Sequence, residues 1–162
     1  MTAFVVSAGT TADEAATMIT QMNDRDFISA FEAATIPLEG WTHREHVRVA
    51  FLYLRALPFE EALDRLRSGI RALNRANGVQ GTPTSGYHET VTVAWARVIA
   101  AAIAADSAPD FDAFAKLHAG LLNKQLLRSY YSKERLLSPE ARSSFVEPDI
   151  EALPVTRCVL TM

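Results

Sequence analysis

The chain has 162 residues, of which 49% are hydrophobic and 22% are charged, and its formal net charge is −3. This length and composition fit one globular domain with one core and exclude a disordered chain. The balance of charge leaves no excess of Lys and Arg to neutralise phosphates, so we expect no nucleic-acid partner. No apolar run reaches the roughly 18 residues that a membrane span needs, so we expect no membrane partner.

The two ends of the chain bear on its location. Residues 1–6 contain neither Lys nor Arg, whereas a signal peptide begins with a positively charged region. The single cysteine, Cys158, has no internal partner for a disulfide and fits a reducing compartment. We therefore expect a cytoplasmic protein. We predict one domain over residues 1–162 with irregular tails at 1–11 and 150–162. A homodimer is compatible with the sequence.

The spacing of the apolar residues predicts an all-α, single-domain bundle of about six helices with short additional ones. Thr42 and Glu45 have the spacing of a capping box at the start of the third helix. Gly78 ends the fourth helix, and Ser138 followed by Pro139 starts the last. The predicted helices, in chain order, cover residues 12–22, 24–35, 43–56, 60–77, 87–105, 110–122 with a continuation to 131 after a break, and 139–145.

Three histidines each lie at the N-terminal end of a row of residues that faces the core along one side of a predicted helix. Such a row is called a stripe below. His43 and His46 lie three residues apart on the third predicted helix and therefore share a face. His88 stands in the same way at the start of the fifth. The residues that continue the two stripes are Val47, Ala50 and Leu54 in the first, and Val91, Thr92, Trp95, Ile99 and Ala102 in the second.

Imidazole and carboxylate together suit a transition metal such as iron, zinc or manganese. We predict that His43, His46 and His88 bind such an ion, with Glu32 as a fourth ligand or a general base. Glu89 is a second candidate for the catalytic carboxylate. Structural explanations stay open, because an inward histidine is often a hydrogen-bonded core residue. A negative charge in the first turn of a helix is also favourable without any catalytic role.

Three further residues are candidates for substrate binding. Arg71 belongs to a row of arginines spaced four apart and precedes a glycine-rich loop at 78–86, so it suits a carboxylate or phosphate. A solvated face paired with acidic residues is the alternative. The other two candidates for substrate binding are Tyr87, at the end of the loop, and Tyr131. For Tyr131, the alternative is a core residue whose hydroxyl is paired.

Several of these patterns together resemble an uncharacterised family of small all-helical bacterial proteins. The resemblance covers roughly residues 27–153 and implies a shared site without an assigned activity. The motifs that carry it are Phe31-Glu32, Thr42-His43-x-x-His46, Gly69-Ile70-Arg71, Gly86-Tyr87-His88-Glu89-Thr90, Tyr130-Tyr131-Ser132 and Ala141-Arg142.

The histidine pattern favours an enzyme. We predict a small metal-dependent enzyme that acts on a small polar or anionic molecule through a buried site of three histidines and a glutamate. A metal-free enzyme that uses histidine for acid–base catalysis is one alternative. A small-molecule binding or regulatory module without catalysis is another.

Overall fold

The computed structural model describes residues 11–155. Within this part of the chain eight α-helices and three 3₁₀ turns form without any strand, so the all-α prediction is confirmed. Residues 150–155 contain no helix, while residues 1–10 and Cys158 lie outside the described part. The helices are α1 (Ala12–Gln21), α2 (Asp24–Glu32), α3 (His43–Ala56), α4 (Phe59–Ala76), α5 (Glu89–Ala105), α6 (Phe111–Leu117), α7 (Lys133–Leu136) and α8 (Pro139–Ser143), and the 3₁₀ turns are Leu38–Gly40, Ala119–Leu122 and Leu126–Ser129.

The three longest helices, α3, α4 and α5, pack against one another at the centre of the bundle. Small side chains allow α5 to approach its neighbours closely, since Ala94 and Ala96 are both fully buried. Val49 and Phe51 of α3 are buried to the same degree, and so is Leu73 of α4. Burial of this apolar surface is the main term that stabilises the bundle.

The helix boundaries depart from prediction in three places. α2 ends at Glu32 rather than near residue 35, because Ala34 adopts a left-handed backbone with φ of 56°. α5 begins at Glu89 rather than at residue 87. The predicted helix at 110–131 is divided, since the non-helical backbone of His118 (φ −119°, ψ 49°) ends α6 and only 3₁₀ turns follow before α7.

The start of α3 also differs from the predicted capping box. Thr42 is the N-cap residue, but its side chain makes no hydrogen bond to the backbone of the first turn. Its hydroxyl instead donates to the carboxylate of Glu45. Glu45 is buried and also accepts a hydrogen bond from Thr20 at 3.4 Å. Glu45 therefore joins α1 to α3 and does not cap the helix backbone.

Arg48 ties α3 to α1 and α2. Its guanidinium donates to the carbonyl oxygens of Ile19 at 3.2 Å and Met22 at 2.6 Å, and to the carboxylate of Asp24 at 2.9 Å. The same group lies 4.3 Å from the ring centre of Phe27. The last carbonyls of a helix lack partners within the helix, so Arg48 caps α1 while it remains buried beneath it.

Phe31 of α2 packs directly on Gly69 of α4. Its ring also lies 5.4 Å from that of Trp41 in a stacked arrangement and 6.0 Å from that of Tyr53. A Cβ atom at residue 69 would stand 2.2 Å from Cε1 of Phe31. Gly69 is therefore required by this close approach, and Phe31 in turn fixes Trp41 immediately before α3.

No helix within residues 11–155 combines the length and the apolar character that a membrane crossing needs.

We expect Gly69→Ala to lower the free energy of unfolding by roughly 1–3 kcal/mol, because an added methyl overpacks the contact with Phe31. This range already allows for the roughly 1 kcal/mol by which alanine stabilises a helix relative to glycine. Urea denaturation followed by circular dichroism measures it. Gly120→Ala is the matched control, since no atom lies within 4 Å of its Cβ position. Equal stability of wild type and Gly69→Ala would contradict this account of the packing.

Candidate functional site

A cavity of about 290 Å³ lies between α3, α4 and α5, and His43 and His46 form part of its wall. The rest of the wall is mainly apolar. Among residues 11–155, Lys124 is the one charged residue that lines it, and no Asp or Glu contributes. The lining residues are His43, His46, Val47, Ala50, Leu66, Ile70, Val91, Thr92, Trp95, Ala96, Ile99 and Lys124.

His43 is held by the backbone of a neighbouring 3₁₀ turn. Its Nε2 donates a hydrogen bond to the carbonyl oxygen of Leu121 at 2.9 Å. Since a carbonyl only accepts, the proton of the neutral ring is on Nε2 and Nδ1 carries a lone pair. The ring lies 4.7 Å from that of Trp95. Burial lowers the pKa of His43, and the charge of Lys124 lowers it further against the opposing hydrogen bond to Leu121.

His46 is held in the complementary tautomer. Its Nδ1 donates to the carbonyl oxygen of Thr42 at 2.9 Å, so the lone pair is on Nε2. The ring lies 4.2 Å from that of Trp41. Burial lowers the pKa of His46 to about 4 despite the hydrogen bond to Thr42, and the neighbouring His43 lowers it as well. Both imidazoles are therefore neutral at pH 7.

His88 has a different role from the one predicted. It is the N-cap of α5, and its Nδ1 accepts a hydrogen bond from the backbone N–H of Val91 at 3.2 Å. Its Nε2 donates to the carbonyl oxygen of Leu136 at 2.8 Å. Both ring nitrogens are thus engaged, and His88 does not line the cavity. The stripe that follows it does face the cavity, through Val91 and Trp95.

The predicted cluster of three histidines and a glutamate does not form in the described part of the chain. Among residues 11–155, no three His, Cys, Asp or Glu side chains are grouped so that they could hold a metal ion. His88 is turned toward Leu136 because the N-cap backbone is extended, with φ of −134°. A metal bound by His43 and His46 with ligands from elsewhere stays a prediction.

Glu32 lies on another surface. It is exposed in a groove of about 520 Å³ between α2, α3 and α4. Its carboxylate accepts a hydrogen bond from the hydroxyl of Tyr53 at 3.0 Å and lies 3.5 Å from the guanidinium of Arg65. Glu32 is not among the residues that line the histidine cavity, so its predicted place beside the histidines is not found.

Glu89 is buried in an ion-paired cluster at the start of α5. Arg67 donates to one carboxylate oxygen through Nε at 2.8 Å and a terminal nitrogen at 2.6 Å, and Tyr87 donates to the other at 2.5 Å. Burial opposes the charged form, but these hydrogen bonds outweigh it and lower the pKa of Glu89. A carboxylate that is ionised and fully paired is poorly suited to accept a proton, so this arrangement speaks against the predicted catalytic role.

The predicted substrate residues Arg71 and Tyr87 contact each other. The Arg71 guanidinium lies 4.2 Å from the ring centre of Tyr87. Arg142 of α8 holds the backbone of the preceding loop, where it donates to the carbonyl oxygens of Ser85, Gly86 and Tyr87 at 3.2–3.3 Å. Neither Arg71 nor Tyr87 lines the histidine cavity.

Tyr131 is a core residue. Its side chain is 1% exposed, and its hydroxyl donates to the carbonyl oxygen of Val146 at 2.8 Å. Tyr131 is therefore packed in the core with a paired hydroxyl, as the structural alternative has it, and is not available to a substrate.

Sequence reasoning missed Trp41 and Lys124, and it placed Trp95 on the core-facing stripe without its contact to His43. Each tryptophan ring lies tilted against one of the two histidine rings, and the packing of separate segments brings about these contacts. Lys124 lies between two 3₁₀ turns in a polar segment, where no periodicity indicates its neighbours. Comparison of the chain with family models, with curated proteins and with solved structures gives no match. The resemblance inferred from the motifs therefore stays a prediction.

The contact of each tryptophan ring with one histidine ring allows the two titrations to be read separately. The chain has two tryptophans, and a protonated imidazole quenches the fluorescence of an adjacent indole. In Trp95→Phe, we expect the fluorescence of Trp41 to change with a midpoint near pH 4, the pKa of His46. In Trp41→Phe, we expect Trp95 to report His43 with a midpoint below 6.5. The same variants in urea should titrate near 6.5, and that value in folded Trp95→Phe would refute the burial of His46.

Folding stability should also depend on the neutrality of His46. Its pKa is about 4 in the folded protein against 6.5 ordinarily, so the unfolded chain takes up the proton first as the pH falls. The stabilising contribution is complete above pH 6.5 and is lost between 6.5 and about 4. Between pH 6.5 and about 4, we expect the free energy of unfolding of the wild type to fall by roughly 2–3 kcal/mol relative to that of His46→Asn. Asparagine can donate to Thr42 but does not titrate. A pH-independent difference in urea denaturation would contradict this.

Proposed function

We propose that this protein binds a small molecule with a mainly apolar body in the cavity between α3, α4 and α5. A hydroxyl or N–H group of that molecule would donate a hydrogen bond to Nδ1 of His43 or to Nε2 of His46. The observation that carries the proposal is the pair of neutral imidazoles on an otherwise apolar wall, each with one nitrogen already bound to a carbonyl.

The character of the wall supports an apolar body for the ligand. Side chains such as Leu66, Ile70, Val91 and Ile99 offer dispersion contacts and no polar partner. A cavity of about 290 Å³ holds on the order of ten non-hydrogen atoms, at roughly 30 Å³ for each water-sized group. The ligand is therefore less polar than the substrate that the arginine row suggested.

The two unpaired lone pairs support a donor group on the ligand. Each imidazole uses one nitrogen to donate to a backbone carbonyl, so the other nitrogen can only accept while the ring is neutral. Among residues 11–155, no hydrogen bond to Nδ1 of His43 or Nε2 of His46 is formed. A ligand that supplies the donor would pair one of these acceptors, and one net hydrogen bond contributes roughly 0.5–1.5 kcal/mol.

The same nitrogens favour a second candidate function, the metal-dependent enzyme predicted from the sequence. His43 and His46 offer two lone pairs on one wall, and water or substrate would have to supply the other ligands of the ion. Metal-free acid–base catalysis by these histidines remains the other catalytic alternative. The cytoplasmic location and the lack of a nucleic-acid partner are also part of the proposal, supported by the single cysteine and the net charge of −3.

A matched pair of ligands tests the proposal. 4-Ethylphenol and 4-ethylanisole have nearly the same shape, but only the phenol can donate a hydrogen bond. By isothermal titration calorimetry at about pH 7.5, we expect the phenol to bind about three- to tenfold more tightly, the usual value of one net hydrogen bond. His43→Gln and His46→Asn should together abolish this preference. Each amide can still donate to the same carbonyl, but the second ring nitrogen is missing.

His88→Asn is the control variant, because His88 caps α5 and does not line the cavity. It should retain the preference for the phenol. Failure of wild type to bind either compound would overturn the binding proposal. Elemental analysis of the same preparations tests the second candidate. A stoichiometric transition metal that is lost in the double variant would replace the binding proposal with the metal-dependent one.

A further inference from the structure

The charge of the cavity wall has one sign. Lys124 lines the cavity and lies close enough to His43 for its charge to lower the pKa of that ring, and the lining residues within 11–155 include no carboxylate. Within the described residues, Lys124 also forms no ion pair with any Asp or Glu. The ammonium group is therefore available to a ligand that carries a negative charge.

The backbone around Lys124 is fixed with respect to His43. The 3₁₀ turn Ala119–Leu122 supplies the carbonyl of Leu121 that accepts the hydrogen bond of His43. The next residues are held by hydrogen bonds from Leu126 N–H to the Asn123 carbonyl and from Gln125 N–H to the Asn123 side chain, both at 3.0 Å. Lys124 and His43 thus belong to one locally ordered unit at the edge of the cavity.

Other cations near α4 and α5 do not serve this wall. Arg67 is paired with Glu89 and Asp64, and Arg71 lies over Tyr87. Neither residue lines the cavity. Recognition of an anion there depends on Lys124.

We infer that the ligand of the cavity is a hydroxylated apolar carboxylate, whose carboxylate pairs with Lys124 while its hydroxyl donates to the imidazole of either His43 or His46. This inference rests on the proposed binding function and narrows it to one chemical class. Because Lys124 is itself exposed to solvent, we expect the ion pair to raise affinity by about three- to tenfold rather than by a large factor.

Three compounds with the same phenol ring and different charge test the inference. They are 4-hydroxyphenylacetate (an anion), tyrosol (its neutral alcohol) and tyramine (its cationic amine). By isothermal titration calorimetry at about pH 7.5 and low salt, we expect the acid to bind about three- to tenfold more tightly than tyrosol, and tyramine to bind most weakly. Added salt should reduce the difference, because it screens a partly exposed ion pair.

Lys124→Met removes the charge and keeps most of the length of the side chain. It should make the affinities for the acid and for tyrosol equal. Lys116→Met is the matched control, since Lys116 is an exposed lysine of α6 outside the cavity wall. This variant should keep the preference for the acid.

The outcomes separate this inference from the function on which it rests. Equal binding of the acid and tyrosol by wild type, or an unchanged preference in Lys124→Met, would overturn the inference alone. Binding of 4-ethylphenol with no binding of 4-hydroxyphenylacetate would also overturn it and leave the binding function in place. Failure of all these compounds, 4-ethylphenol included, would overturn both.

Discussion

The close approach of Phe31 to Gly69 sets the distance between α2 and α4, and the position of the site follows from it. Because no side chain separates the two helices there, the ring of Phe31 lies deep enough to stack on Trp41. Trp41 in turn contacts His46, with the two ring centres 4.2 Å apart. A succession of direct contacts therefore leads from one glycine to one wall of the cavity. A shift of α2 would be transmitted to an imidazole rather than absorbed by solvent, since protein interiors are tightly packed.

The polar groups of the bundle fall into two kinds. Several of those between helices are paired, as in the ion pair of Arg67 with Glu89 and in the capping of α1 by Arg48. On the cavity wall, His43 and His46 each use one ring nitrogen, and the other forms no hydrogen bond within residues 11–155. These two acceptors are the polar groups on which the proposed binding function rests.

Helical periodicity was sufficient to predict the central helices and the inward faces of α3 and α5. It placed His43 and His46 correctly because a residue inside a helix points where the stripe points. It failed for His88, which precedes the first helical residue and has an extended backbone. Histidine is not among the preferred N-cap residues. The predicted helix therefore began before His88 instead of after it, and the imidazole was predicted to lie on the core-facing side of that helix.

The remaining errors have a common physical origin. Glu32 reaches Tyr53 and Arg65 rather than the histidines, because α2 presents it on the outer side of Phe31. Thr42 and Glu45 have the spacing of a capping box, but burial makes the side-chain pair preferable to the exposed cap. Lys124 and the tryptophans enter the site from separate segments. Each of these positions is decided by tertiary packing, about which local spacing carries no information.

The hydrogen bonds at the start of α5 affect the order in which the chain can fold during its synthesis. Arg142 holds the carbonyls of residues 85–87, His88 bonds to Leu136, and the Thr90 hydroxyl bonds to the backbone of Ser144 and Val146. These partners lie 48–57 residues later in the sequence. During synthesis on the ribosome, α1 to α4 can associate while the first turn of α5 still lacks its partners. The first turn of α5 therefore gains its full set of these hydrogen bonds only after residue 146 has been added.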